Sequence, residues 1–315
     1  MAEPTKKDQG KGQATTSQAP AKQESPLALM KRTVIDVVAE KARKFVENGE
    51  LNLPANYSIN NAIKAAWIIM QTVEDKNHNK ALSVCTQNSI ANSLLDMIVQ
   101  GLNPMKKQCY FIVYGTTLAC QRSYFGSMAI AKMVEPRIDD FAFAVVYEKD
   151  IFKYGIQNGK KTIVEHSQDI KNVDKDNIIA AYCIALNKEG GSYKTEIMTI
   201  DEIHQAWKQS KMNPFDDKTG KIKDGSTHEK FTGEMALKTV INRCCKAIIN
   251  ASSDNALLLE RIRKNDELID RSEVDEEIDE QENLGDVIDV TEKKAELPPE
   301  VSAVEAKAEE KKTPF

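Results

Sequence analysis

The stretch Gly101–Met133, GLNPMKKQCYFIVYGTTLACQRSYFGSMAIAKM, decides how the chain is read. Gly101 is a helix stop, and Pro104 forbids the helix from continuing. Two short apolar runs follow, Tyr110–Tyr114 and Thr117–Cys120. Gly115-Thr116 separates them, which predicts a hairpin. QRSYFG then opens a helix. A hairpin that runs into a helix whose first turn carries polar and aromatic side chains is a platform for a ligand.

Working outward toward the N-terminus, three amphipathic helices are expected. The first has Met30, Val34, Val37, Val38, Ala42 and Phe45 at spacings of three and four, with Gly49 as its stop. The second is capped by Ser58 and carries Ile59, Ile63, Ala66, Trp67 and Met70 on one face, Trp67 being a core residue. The third starts at Thr86 or Ser89 and runs to Gln100, with Ile90, Leu94, Met97 and Ile98 as its stripe. Toward the C-terminus the period changes to two. Phe141–Tyr147, Asp150–Tyr154, Thr162–Glu165, Ile178–Asn187 and Ser192–Thr199 read as strands, with turns at Asn158-Gly159 and Glu189-Gly190-Gly191. Asp201 is read as the cap of a helix through Ser210. Lys211–Gly225 is a loop rich in Lys, Gly and Asp. A long helix runs from Glu229 to Asn250. Helices and strands are segregated rather than alternating as βαβ units, so the fold class is α+β. Four segments are expected: a disordered tail at 1–26, a helical region at 27–100, an α+β core at 101–264 and an acidic disordered tail at 265–315.

The hydrophobic fraction of 41% is enough to bury a sizeable core. The formal net charge of −5 hides an asymmetry. Residues 265–315 hold 18 acidic and 6 basic residues, a net of −12, and residues 1–26 have a net of +1, which leaves +6 on the body. A basic body with an acidic tail suits a polyanionic ligand and an interaction tail. The six cysteines form no C-x-x-C pair, and five lie in apolar periodic contexts where reduced core thiols sit. The start of the chain has no apolar signal segment, and no apolar run is long enough to span a membrane. These features fit a reducing cytoplasm.

The motifs of several chemistries are missing. Gly155–Thr162, GIQNGKKT, is one residue short between its glycines for a P-loop, puts a second Lys where the Ser/Thr belongs, and opens no helix. There is no dinucleotide fingerprint, nucleophile elbow or zinc-peptidase motif. Asp139-Asp140 and Asp216-Asp217 are the nearest carboxylate clusters, and loop solvation accounts for both. The chain is therefore read as a non-enzyme needing no cofactor and no metal.

What remains is basic. On the long helix Leu237, Ile241, Cys244, Cys245 and Ile248 fall on one side, and Lys238, Thr239, Asn242, Arg243, Lys246 and Asn250 on the other. Such a polar side can follow a phosphate backbone. Lys208, Lys211, Lys218, Lys221 and Lys223 precede it. The opening stretch adds Lys106, Lys107, Arg122 and Lys132, with Tyr124 and Phe125 beside Arg122. Cations interleaved with aromatic rings suit single-stranded nucleic acid, whose phosphates need charge and whose bases need ring faces.

At this point the residues resemble a family. QRSYFG with the apolar helix after it, Gln121–Met133, is similar to the Q-x-G-Y-[KR]-G-x-x-x-L-A element of RecT-type phage recombinases. GLNP, Gly101–Pro104, is similar to the GL-x-P before it, and EMALKTVINR, Glu234–Arg243, to E-M-A-K-K-T-x-I-R-R. The likeness covers roughly residues 55–254. It implies the phage annealing-protein fold, a twisted antiparallel sheet with a long helix packed on it. It implies a protein of the bacterial cytoplasm that binds single-stranded DNA, assembles as a homo-oligomeric ring or helical filament, and anneals complementary strands in recombination without ATP. A phage exonuclease and a host single-strand-binding protein are the further partners considered, the latter because Thr313-Pro314-Phe315 resembles the Pro-Phe tip of bacterial single-strand-binding proteins. Gln121, Tyr124, Gly126, Lys238, Thr239 and Arg243 match the motifs. Ser123, Phe125, Leu237 and Asn242 depart from them, and Phe125 stands where the family has a cation, with Arg122 beside it to supply the charge. The expected DNA-binding set is Lys106, Lys107, Gln121, Arg122, Tyr124, Phe125, Lys132, Lys208, Lys211, Lys238, Thr239, Arg243 and Lys246. The rival reading is a protein-binding scaffold with an autoinhibitory acidic tail.

Overall fold

A computed structural model describes residues 26–210, 213–252 and 256–271 of the chain. The two expected tails fall almost wholly outside the described residues, as does Lys211.

The N-terminal part is helical. It comprises α1 (Pro26–Glu47), α2 (Ile59–Met70), the single turn α3 (Ala81–Val84) and α4 (Gln87–Val99). Ser58 caps α2 by accepting from the Asn61 amide, and Thr86 caps α4 by accepting from the Ser89 amide. The predicted stripes are the buried ones: Ile63, Ala66, Trp67 and Met70 on α2, and Ile90, Leu94, Met97 and Ile98 on α4. The hairpin of β1 (Cys109–Tyr114) and β2 (Thr117–Arg122) packs against α4. It feeds directly into α5 (Tyr124–Val134).

The second part is built on an antiparallel sheet of β3 (Ile138–Tyr147), β6 (Ile178–Asn187) and β7 (Ser192–Thr199), with β6 central. β6 and β7 have the limits read from the sequence, while β3 starts three residues before the expected Phe141. Asp139 and Asp140 therefore stand on a strand rather than in a loop. An arm of β4 (Ile151–Gln157) and β5 (Lys160–Ser167) pairs only with itself. Its turn has both Asn158 and Gly159 at positive φ, 51° and 76°, the geometry of a tight hairpin and not of a phosphate loop. The arm leans on β7.

Three helices complete the body: α6 (Ile200–Gln209), α8 (Thr232–Asn250) and α9 (Ala256–Arg271). A short turn, α7 (Thr227–Lys230), ends at Phe231, so the expected helix from Glu229 is broken there. Thr199, not Asp201, caps α6. It forms a reciprocal capping box with Glu202 and leaves Asp201 in the first turn, where its charge suits the helix dipole. α8 lies across β6, β7 and β3 and packs on its other flank against α5. Its buried set is accordingly wide, with Met235, Ala236, Val240, Ile241, Cys244, Cys245, Ile248 and Ile249. α9 docks on α4 and β2 and runs past Lys264. Arg261 of α9 pairs with Asp96 of α4, both largely enclosed, and burial pushes the Asp96 carboxyl up despite that guanidinium. All six cysteines are buried and reduced. One continuous core joins the N-terminal helices, both hairpin-to-helix junctions and α8. No helix among the described residues is long and apolar enough to cross a membrane.

Candidate nucleic-acid interface

The GLNP segment and the QRSYFG turn form a single joint. Asn103 caps a short 3-10 turn, and its amide donates to Gln108 Oε1 at 2.8 Å. Lys107 ends that turn in the left-handed region, φ 53°. Its carbonyl accepts from Ser123 Oγ at 2.6 Å, and the Gln108 carbonyl accepts from the Ser123 amide at 3.1 Å. Ser123 also caps α5 by accepting from the Gly126 amide. Serine and glycine both serve at an N-cap, so Ser123 in place of the family's glycine leaves this geometry intact. Gly126 has no such freedom: a Cβ there would lie 2.1 Å from the Gln108 carbonyl oxygen and 2.8 Å from Arg122 Cγ.

The expected contact residues of this joint divide by exposure. Gln121 is fully buried and donates to the Tyr114 hydroxyl. Arg122 is half-buried and donates from Nε to Ser127 Oγ and from Nη1 to Gln100 Oε1, both at 3.2 Å. Tyr124 packs on the core, with the Phe125 ring 4.1 Å from its own. Lys106 and Lys132 are brought together on the rim of a cleft of about 460 Å³, whose floor is rich in amides: Asn56, Asn61, Gln100, Asn103 and Gln108. Lys132 also reaches Asp140 at 3.0 Å, an exposed pair that adds little stability.

On α8 the expected polar face is narrower than drawn from periodicity: Lys238, Thr239 and Asn242 are half-buried, and Thr239 meets Trp207 of α6. Arg243 and Lys246 are exposed. Arg243 lies 3.5 Å from Glu196 of β7. Thr239 Oγ1 accepts from the Trp207 indole at 2.8 Å and donates to the Met235 carbonyl at 2.9 Å. Trp207 is itself enclosed by His204 and His228, and Lys208 lies over the Phe215 ring at 4.9 Å. Thr239→Val keeps the shape and strands a buried N–H. It is expected to cost about 1–2 kcal/mol, read as a lower urea midpoint with unchanged slope; an unchanged midpoint would remove this role.

A second groove, of about 760 Å³, was missed from the sequence. It lies between the β4–β5 tip, the start of β7 and the last turns of α8, and Arg137, Lys160, Lys161, Tyr193 and Lys194 line it. Arg137 Nη2 donates to Glu135 Oε2 at 2.6 Å and its Nε to Oε1 at 2.7 Å, and the guanidinium lies over the Tyr193 ring at 5.1 Å. The Arg137 fork, with help from Tyr193, holds the Glu135 carboxyl at about 2, far below the usual range. In the sequence this groove is signalled by the Lys160-Lys161 pair, within a segment that resembles a phosphate loop without matching one.

Two hollows on the α+β body thus carry cations at their walls, Lys106 and Lys132 in one and Arg137, Lys160, Lys161 and Lys194 in the other. The family comparison gives this body its identity: the chain belongs to the RecT family, whose model matches residues 60–282, from α2 through α9 and beyond. The family's business is DNA binding and strand annealing in recombination. Among curated proteins, nothing matches the chain.

Proposed function

We propose that this protein binds single-stranded DNA as a homo-oligomer and anneals complementary strands without ATP, acting as a binding protein rather than an enzyme. The match to the RecT family over residues 60–282 carries this reading. Lysine and arginine side chains offset the repulsion between two phosphate backbones that must approach each other. Neighbouring subunits hold one strand extended with its bases open. Base pairing and stacking then drive the reaction, so no nucleotide fuel is required. Lys106 and Lys132 at the amide-lined cleft, Lys238, Arg243 and Lys246 on α8, Lys208 on α6, and Lys107 and Lys211 supply the charge. Gln121, Arg122 and Thr239 act by holding the two helices that carry it, and Tyr124 and Phe125 by shaping the joint. The bacterial cytoplasm is the setting. A phage exonuclease that supplies single strands and a host single-strand-binding protein are the proposed partners.

The decisive measurement mixes two complementary oligonucleotides with the purified protein in the absence of ATP. A rate of duplex formation no higher than without protein would end this reading. Arg243→Ala and Lys238→Ala should each flatten the dependence of log affinity on log salt by roughly 0.7 and weaken binding roughly fivefold near 0.1 M salt, irrespective of base sequence. Variants with the wild-type salt slope would take α8 out of the interface.

A further inference from the structure

We infer that the groove under the β4–β5 arm binds single-stranded DNA by stacking one base on Arg137 while Lys160 and Lys194 hold the phosphates on either side of it. This rests on the reading above and assigns it a place. Arg137 is the central observation. Its charge is already matched by Glu135, so it adds little as a cation. What it offers is a plane. The guanidinium is fixed by the Glu135 fork, by Tyr193 Oη at 3.2 Å and by the Tyr193 ring beneath it, yet its side chain is 72% exposed. A planar guanidinium held by a carboxylate fork beside a tyrosine ring, and mostly open to solvent, is a surface for a nucleobase. Only an unstacked base can reach it, which selects single strands over duplex.

Further charge lines the same groove. Lys160 at the arm tip is exposed, Lys194 on β7 is half-exposed, and neither forms an ion pair among the described residues. The groove's width is held from two directions. Near the tip, Lys161 Nζ donates to the Ile197 carbonyl of β7 at 2.8 Å. At the root, the wholly enclosed Asp150 carboxylate accepts from Gln168 at 2.8 Å and from the Tyr147 amide at 2.9 Å. His166 sits between that carboxylate and the Tyr182 hydroxyl, at 3.3 and 3.0 Å, and Phe152 stacks on Tyr182. The arm thus forms a fixed wall although it shares no ladder with the main sheet.

The test compares full-length wild type, Arg137→Lys and Lys160→Glu/Lys194→Glu by fluorescence anisotropy. The probes are a labelled oligo-dT and an abasic strand of the same length. Arg137→Lys keeps the charge and removes the plane. It should lose at least about fivefold in affinity for oligo-dT with an unchanged salt slope, and nothing for the abasic strand. The double charge reversal, placed outside the core, should flatten the salt slope on both strands. Competition by free dTMP should be negligible. Arg137→Lys at wild-type affinity for oligo-dT, or an equal loss on the abasic strand, overturns the base platform. A double reversal that leaves the salt slope unchanged, or displacement by dTMP at micromolar concentration, overturns the strand path. In each of these cases wild type still binds oligo-dT, so the proposed function stands; failure of wild type to bind it would overturn both.

Discussion

Gly126→Ala is expected to destabilise the protein by about 3 kcal/mol, at the top of the usual range for an inserted methyl. The added carbon would meet the Gln108 carbonyl oxygen at 2.1 Å. That oxygen belongs to the backbone and already accepts from the Ser123 amide, so it cannot swing aside as a side chain would. Relief requires α5 to move away from the Asn103–Gln108 turn, and α5 is also packed against α8. The damage should therefore spread: a fall in melting temperature of roughly 10 °C, with weaker DNA binding even though no cation is lost. Gly159→Ala is the matched control. Its φ of 76° makes alanine strained, but no atom lies near the added carbon, so about 1 kcal/mol is expected. Equal melting temperatures for Gly126→Ala and wild type would refute the tight joint.

The second large effect is on acid stability. His228 is buried against the edge of Trp207, with ring centroids 4.7 Å apart. Burial, and then the nearby Lys238 ammonium, push the imidazole down to about 4. The folded protein therefore keeps His228 neutral where the unfolded chain takes up a proton. With the folded value below the unfolded 6.5, stability is complete above about pH 6.5, falls as pH drops toward 4, and levels off below that. The whole loss is on the order of 3 kcal/mol, with a slope near 1.4 kcal/mol per pH unit in the middle of the window. His204 is also lowered by burial and adds in the same direction. Urea unfolding of wild type and His228→Phe between pH 7 and 5 separates this effect from the carboxylates, which titrate lower. The aromatic variant should lose most of the slope; parallel curves for the two proteins would show that His228 is not its source.

Much of the architecture could be read from local signals. Ser58 and Thr86 set helix starts because capping is a property of neighbouring residues, and the apolar run of β6 and the turn after it set the strand limits there. The short apolar runs around Gly115-Thr116 and the Asn158-Gly159 dipeptide announced both hairpins for the same reason. The α6 cap was misplaced by two residues because Thr199 and Asp201 are both good caps. The reciprocal bond with Glu202 decides between them.

The sequence alone determined the types of the main elements up to α8, the segregation into an α+β body, the asymmetry of charge and the family motifs, but not α9. All of these depend on residues close together in the chain. Tertiary structure alone decided which partners each cation meets. Arg122 donates to Gln100 and Ser127 because the hairpin that carries it packs against α4. Arg137, Lys160 and Lys194 come from three separate strands or their flanks, and they share a groove only because the arm leans on β7. Whether a charged side chain is spent on the fold or left for a ligand depends on which distant carboxylate, amide or ring the packing brings beside it, and no local pattern encodes that.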